Sequence, residues 1–479
     1  MEILSWTFVG FTTLVWVIYI FLPHRVQNIW LLLASYVFYL YWNIGFTVVL
    51  VISTLVNYFV AHRLQQSQQL SRRWLWLGIG GNVLALCIFR MAVSGYGARL
   101  TGLLLRNAES SPIVNLDILL PIGFSFYTLG AISYLVDVYR KQEPPSSNLV
   151  DFALYMAYFP KMIAGPIERA RTFLPQIAQS RILENDNLKH GIGLIVIGML
   201  RKIVIAGTLS RGIPENLFVQ TAQFSTGTLA TYLVMYAFWL YNDFAGYTNI
   251  VRGVSKLFGI QLTRNFQQPY FARSFNEFWN RWHISLSHWL RDYIYFPLSR
   301  KLRRGHSAAL NIIAPPMVTM LVSGLWHNFG IYMLVWGGLH GVFQVFERLL
   351  TVWKPKWMIF QQQPAWKNLL RMLIVFILTC LAWVAFGSGS FSRAIAFWIA
   401  LLSGNGEVII SSLSLVGGTL VILLCLFMDG IQYFHRDELV FLTWKRFQQA
   451  ALLAFVMLIF LLNSLLGEVV VTPFVYQGF

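Results

Sequence analysis

Charge is what this 479-residue chain has least of. Asp, Glu, Lys and Arg make up 11% of it, against roughly 25% in soluble domains, and that shortage excludes an ordinary water-soluble globule. Acids are the scarcer sign: 19 Asp and Glu stand against 36 Lys and Arg, a formal net charge of +17. A balance so basic invites a nucleic-acid partner, but no extended basic domain exists to carry one. The cations sit mainly in short stretches between apolar runs, as in loops held beside anionic lipid, so nucleic acid is excluded and membrane lipid is the expected partner. Cysteine is nearly missing, and Cys87, Cys380 and Cys425 lie far apart inside apolar runs, which excludes a disulfide framework or a thiolate metal site. No His, Cys or carboxylate cluster has zinc spacing, and there is no Gly-rich phosphate loop. The first residues, MEILSWTFVGFTTLVWVIYIFLPHR, lack a basic n-region and a small-residue cleavage site, so they read as a first transmembrane helix rather than a signal peptide.

What fills the chain instead is apolar: 57% hydrophobic and 16% aromatic residues. The expected fold class is an all-α polytopic membrane protein, a single membrane-embedded domain over 1–479. A span needs about 20 apolar residues. Candidates fall near 5–22, 28–43, 45–62, 74–94, 116–138, 149–165, 188–208, 226–250, 309–327, 331–350, 369–388, 413–434 and 449–467, about 11 to 13 of them transmembrane or re-entrant. Run 149–165 ends in PKMIAGP, where Pro160, Gly165 and Pro166 oppose a continuous helix. Run 28–43 is short and reads as half a hairpin with its successor. Basic residues Arg25, Arg63, Arg72 and Arg73 flank that hairpin on one side, which puts the N-terminus outside by the positive-inside rule. Ten Lys or Arg and only two acids lie between Arg252 and Arg304, so this block is expected to face the cytoplasm.

Five of the nine histidines fall between residues 278 and 340: His283, His288, His306, His327 and His340. The segment SFNEFWNRWHISLSHWLRDYIYFPL opens on Ser274 with Glu277 three residues on, a helix-start spacing. Aromatic and apolar residues then recur every three or four positions, which predicts an amphipathic helix lying in the membrane interface. His327 sits deep in the apolar run that starts near Ile312. An ionisable group at such depth is costly unless it has a partner or faces water, and marks a functional site by default. The same argument applies to Asn242 and Asp243, which interrupt LVMYAFWLYNDFAGY. A structural ion pair of Asp243 with Arg252 or Arg281 competes there with a role in orienting a histidine. Arg201 and Lys202 read as side chains snorkelling from a helix end, and Glu168 and Arg169 as lining a cavity or capping it. The competing reading of each histidine is structural: a hydrogen-bonded packing residue at 327, a headgroup-level ring at 283, and tight helix packing around Gly337, Gly338 and Gly341 at 340.

The segments LPIGFSFYTLGAISYLVDVYR (120–140), FALYMAYFPKMIAGPIERA (152–170), NDFAGYTNIVRGVSKLFGI (242–260), FWNRWHISLSHWLRDYIYFPL (278–298) and SGLWHNFGIYMLVWGGLHG (323–341) together resemble the membrane-bound O-acyltransferase family. The likeness is to its bacterial branch, which includes the alginate O-acetylation and teichoic-acid D-alanylation membrane proteins. The resemblance covers about 120–345 closely, with peripheral helices over 1–115 and 346–479. It implies a ring of helices around a thinned centre, with a tunnel in which an activated acyl group from one side meets a hydroxyl from the other. It also implies a catalytic pair, His327 after Leu-Trp and His283 after Arg-Trp, opening on one continuous cavity. Trp326, Asn328, Trp282, Arg281, Asn242 and Asp243 become expected substrate-binding residues. Asn328 stands where the family pattern has glycine, and SRKLRRGHS replaces the usual Gly-rich turn after YFPL.

The chemistry of the residues agrees. A sugar or alcohol hydroxyl is a poor nucleophile at neutral pH, and a positioned neutral imidazole that takes its proton supplies about 10²- to 10⁴-fold. Burial favours that neutral form. No bound cofactor is expected; the co-substrate is an acyl thioester, acetyl-CoA or an acyl carrier protein. The expected activity is transfer of an acyl group, acetyl first, to a hydroxyl of an exported or cell-envelope polysaccharide, in the inner (cytoplasmic) membrane of a bacterium. An extracytoplasmic acyltransferase partner is implied by the resemblance. D-alanyl transfer to teichoic acid is the alternative within the class. A transporter or flippase is the alternative outside it, disfavoured because no internal repeat with paired broken helices is found.

Overall fold

Helices account for nearly all the regular structure, as they must where hydrocarbon offers the backbone no hydrogen-bond partner. The computed structural model describes residues 1, 3–65, 68–93, 121–181, 184–304, 307–353, 364–404, 406–407 and 410–465. Among these the sole extended pairing is an isolated bridge between Phe224 and Glu407. Six helices among the described residues are long and apolar enough to cross a bilayer: Ile44–Arg63, Gln69–Met91, Asn185–Gly212, Ala308–His327, Ala365–Gly387 and Ser414–His435. Trp6–Tyr19, Phe391–Ser403 and Arg446–Leu461 are shorter apolar helices, and Phe391–Ser403 lies in none of the runs read from the sequence. The protein is an all-α, multi-pass membrane protein.

The described residues form two compact units. The first comprises Met1–Gly191 with Val254–Thr263, the second Ile192–Gly253 with Arg264–Phe479. In the first unit, the helices His24–Leu40 and Ile44–Arg63 are joined by a three-residue turn, which makes the expected hairpin. Asn43 caps the second of them, its Oδ1 accepting from Gly45 N at 2.7 Å. The expected break in run 149–165 is present: Leu149–Ala157 ends and Phe159–Met162 begins across Tyr158. The interruption is satisfied locally, since Phe159 N donates to Ser35 Oγ at 3.0 Å and the hydroxyls of Tyr158 and Ser255 share a hydrogen bond of 3.1 Å. Glu168, expected at a cavity or cap, instead accepts from Thr263 N and Thr263 Oγ1, at 2.5 and 3.0 Å.

The second unit is set by two main-chain contacts that only glycine permits. A Cβ on Gly324 would lie 2.2 Å from Met333 O, and one on Gly337 2.3 Å from Met320 O. Ala308–His327 and Ile331–Trp353 therefore touch backbone to backbone. Gly337 thus packs as expected, whereas a Cβ on Gly338 would meet nothing within 4 Å. The second contact pairs Gly198 with Gly246, where either added Cβ would come within 2.8 Å of the other's carbonyl oxygen. It brings Thr226–Leu257 against a π-helical stretch, Leu200–Ala206.

Candidate active site

The segment expected to be one amphipathic helix from Ser274 is instead a series of short pieces. Ser274 does start a helix, its Oγ accepting from Glu277 N at 3.0 Å, but Phe275–Arg281 stops at Trp282, and Ile284–Leu290 follows. Between them His283 has φ 43° and ψ 54°, in the left-handed region, at a cost of roughly 1–2 kcal/mol for a side chain with Cβ. Asn265 holds the break: its carbonyl accepts from Ile284 N at 2.9 Å and its Oδ1 from Ser285 N at 3.1 Å. The first part of the stripe expected to lie on lipid is core, since Phe278, Trp282, Leu286 and Trp289 are buried, while Tyr293 is half-buried and Phe296 exposed.

The break turns His283 inward. It is 1% exposed, its ring edge-on to Phe244 at 4.8 Å and to Trp326 at 6.2 Å. Burial pushes the imidazole pKa down to about 3, so the ring is neutral at physiological pH. His327 ends the helix Ala308–His327 and is 3% exposed. Rings surround it edge-on: Trp326 at 4.8 Å, Trp336 at 5.2 Å and Phe386 at 5.4 Å. The two histidines thus have Trp326 as a common neighbour. What the structure places against both is this indole, where the resemblance implies a continuous cavity.

The remaining expected site residues divide by what they touch. Asn328 is extended, φ −161°, and its Oδ1 accepts from Gly330 N at 3.0 Å, so it builds the turn after His327 in a conformation that does not require glycine. Trp282 is core, stacked on Phe278 at 5.6 Å and against Trp383 at 4.8 Å. Arg281 donates to Glu277 Oε1 at 2.7 Å and to Gln267 O at 3.2 Å. Asp243 pairs with Lys202, not with Arg252 or Arg281. Asn242 Oδ1 accepts from Arg201 at 3.0 Å, and Arg201 also donates to Asp429 Oδ1 at 2.5 Å.

Snorkelling is therefore the wrong account of Arg201 and Lys202. The apolar stretch of their span, Asn185–Gly212, is 67% buried, and both cations pair with acids inside the unit. Tyr241 donates to Asp429 Oδ2 at 2.9 Å, and Gln432 receives a bond from Gln268 at 3.0 Å. Arg252 holds Glu438 by two bonds of 2.7 and 2.9 Å, with Arg264 at 3.1 Å. Burial opposes the Glu438 charge, yet the two guanidiniums keep its carboxyl down at about 2.

Residues that sequence reasoning missed lie around His340, which is fully buried. Its ring stacks on Phe278 at 6.0 Å and 7° and meets Trp279 at 5.1 Å, Trp336 at 5.2 Å and Trp383 at 6.1 Å. Trp336 touches His327 and His340 alike. The spacing of Trp336 and His340, four apart on one helix, was the available signal. A cleft of about 980 Å³ in the first unit is lined by Gln69, Arg72, Arg73, Trp76, Leu77 and Tyr139, none of them an expected site residue.

Known proteins resemble this chain over most of its length. The "probable alginate O-acetylase" of Pseudomonas aeruginosa is 34% identical over 424 residues, 87% of this chain and 78% of that protein. The peptidoglycan O-acetyltransferase of Helicobacter pylori is 31% identical over 410 residues, 79% of this chain and 74% of its own. The teichoic acid D-alanyltransferase of Bacillus subtilis is 31% identical over 281 residues, 56% of this chain and 69% of its own. The family model for membrane-bound O-acyltransferases matches residues 3–388. This chain is an enzyme of the membrane-bound O-acyltransferase family.

Proposed function

We propose that this enzyme moves an acetyl group from a cytoplasmic thioester, acetyl-CoA or an acyl carrier protein, to a hydroxyl of an exported or cell-envelope polysaccharide, with His327 as the general base. The observation that carries the reading is the placement of His327. In a chain of this family, a histidine ends an apolar helix inside a shell of three aromatic rings. Such a shell excludes water that would hydrolyse the thioester. The acceptor oxygen attacks the thioester carbonyl while its proton passes to His327. The C–O bond forms, the C–S bond breaks, and the departing thiolate takes that proton. His283, neutral and against the same Trp326, is the second candidate for proton handling.

Acetyl transfer to polysaccharide is favoured over D-alanyl transfer because the acetylase relatives align over more of the chain, 87% and 79% against 56%. The whole chain acts as one membrane-embedded domain in the inner membrane of a bacterium, and an extracytoplasmic acyltransferase is its expected partner. The exposed cations Arg300, Lys301, Arg303 and Arg304 are the expected landing face for an anionic donor.

The test is acyl transfer from labelled acetyl-CoA to de-acetylated alginate or peptidoglycan fragments by the purified protein. His327→Gln keeps hydrogen-bonding capacity but cannot serve as a base. It is expected to remain folded and to lose at least about a hundredfold in rate, the lower end of what a positioned base contributes. A folded His327→Gln variant working near the wild-type rate removes His327 from the mechanism. Flux without a covalent product would favour a transporter.

A further inference from the structure

Four ring nitrogens of one aromatic cluster are buried without a hydrogen-bond partner among the described residues: Nδ1 and Nε2 of His340, Nε1 of Trp279 and Nε1 of Trp336. The three rings touch in a triangle, with centroid separations of 5.1 Å (Trp279–His340), 5.2 Å (Trp336–His340) and 5.9 Å (Trp279–Trp336). An unsatisfied buried polar group is costly and calls for an explanation. Edge-on packing supplies part of one, since an N–H directed at an aromatic face makes a weak bond. That explanation fails for half of His340. A neutral imidazole carries one N–H and one bare nitrogen, and an aromatic face has no proton to give the bare one. The indole N–H groups of Trp279, Trp336 and Trp383 are donors in the same cluster, and none of them bonds to it.

The group that completes the cluster must therefore donate a hydrogen bond to the bare imidazole nitrogen and accept one from a neighbouring indole N–H. A carbonyl can do only the second, and an ammonium only the first. A hydroxyl does both.

We propose that His340, Trp279 and Trp336 form a hydroxyl-binding subsite beside His327, taking a second hydroxyl of the acceptor sugar while the neighbouring hydroxyl is acylated. The inference rests on the reading of His327 as base and gives that reading a substrate class: acceptors carrying adjacent hydroxyls. Trp336, 5.2 Å from both His327 and His340, ties the subsite to the reacting centre. His340 is here a positioning residue, and the bonds made and broken are those of the transfer step above.

The experiment uses the full-length protein with labelled acetyl-CoA and de-acetylated alginate oligosaccharide. His340→Phe keeps a flat ring on Phe278 and removes both nitrogens. Its melting temperature is expected to match or exceed the wild type, with transfer falling at least tenfold. A rise in KM for the oligosaccharide identifies the ligand as the acceptor's hydroxyl. A fall in kcat at unchanged KM identifies a bound water instead, and overturns the acceptor assignment. A folded His340→Phe enzyme with wild-type kcat and KM overturns the subsite altogether. Trp336→Phe, which loses a single N–H, guards against a His340 variant that does not fold. It is expected to raise acceptor KM several-fold, and wild-type constants there also refute the proposal. His327→Gln in the same assay separates the two readings: an inactive His327→Gln beside a fully active His340→Phe leaves the base in place and removes only the subsite.

Discussion

Two buried polar regions of the second unit follow opposite rules. In the ionic region Arg201, Lys202, Asp243 and Asp429 are each within 7% of complete burial, and each charge faces an opposite one. In the aromatic region His283, His327 and His340 are as deeply buried but sit among rings. A charge cannot be left alone at that depth and must be paired, whereas an imidazole can shed its proton and stay. Ion pairs therefore tie the first region together, while aromatic rings pack around the histidines of the second.

Breaking the ionic side should have the largest effect on stability. Arg201→Met leaves Asp429 buried without its guanidinium and is expected to cost about 3–5 kcal/mol, read as a fall in melting temperature in detergent. The double variant Arg201→Met/Asp429→Leu should recover most of that loss; a double variant as unstable as the single would mean the pair is not the unit that matters.

The aromatic side should give a smaller, pH-dependent effect. The folded His283 pKa of about 3 lies below the ordinary 6.5, so the unfolded chain binds the extra proton between these values. This contribution is complete above pH 6.5 and is lost as the pH falls toward 3, by about 1.4 kcal/mol per pH unit. His283→Asn, which tolerates the left-handed backbone, should therefore show a flatter melting temperature than the wild type between pH 6.5 and 5. Parallel curves would place the imidazole in contact with water.

The smallest effect belongs to exposed charges without an ion pair among the described residues. Replacing Arg300, Lys301, Arg303 and Arg304 together with Gln should leave stability unchanged. It should raise donor KM several-fold at low salt, and less at high salt where screening removes the attraction. Donor kinetics indifferent to both mutation and salt would show that the donor lands elsewhere.

How far the sequence reached follows the same division. Local signals were legible: Ser274 before Glu277, the break before Pro160, and the lone histidine in an apolar run. The partners of Arg201 and Lys202 were not, because Asp429 and Asp243 lie 228 and 41 residues away and nothing local distinguishes a paired cation from a snorkelling one. The break at His283 was hidden for another reason. Apolar spacing ran through it undisturbed, and histidine carries no signature of a left-handed backbone that is imposed by Asn265 from outside the helix. His340 reads as packing because Gly337, Gly338 and Gly341 beside it signal a close helix contact, and that signal masks its four-residue spacing from Trp336.

The glycine contact between Ala308–His327 and Ile331–Trp353 has a consequence for how such an enzyme diversifies. Where main chain meets main chain, no larger residue is admitted, so selection has no graded series of side chains with which to slide one histidine-bearing helix past the other. The distance from His327 to His340 is in that sense inherited whole. If the proposed subsite holds, new acceptors are accommodated by exchanging the surrounding rings at positions 279, 336, 383 and 386, where size and polarity vary in small steps.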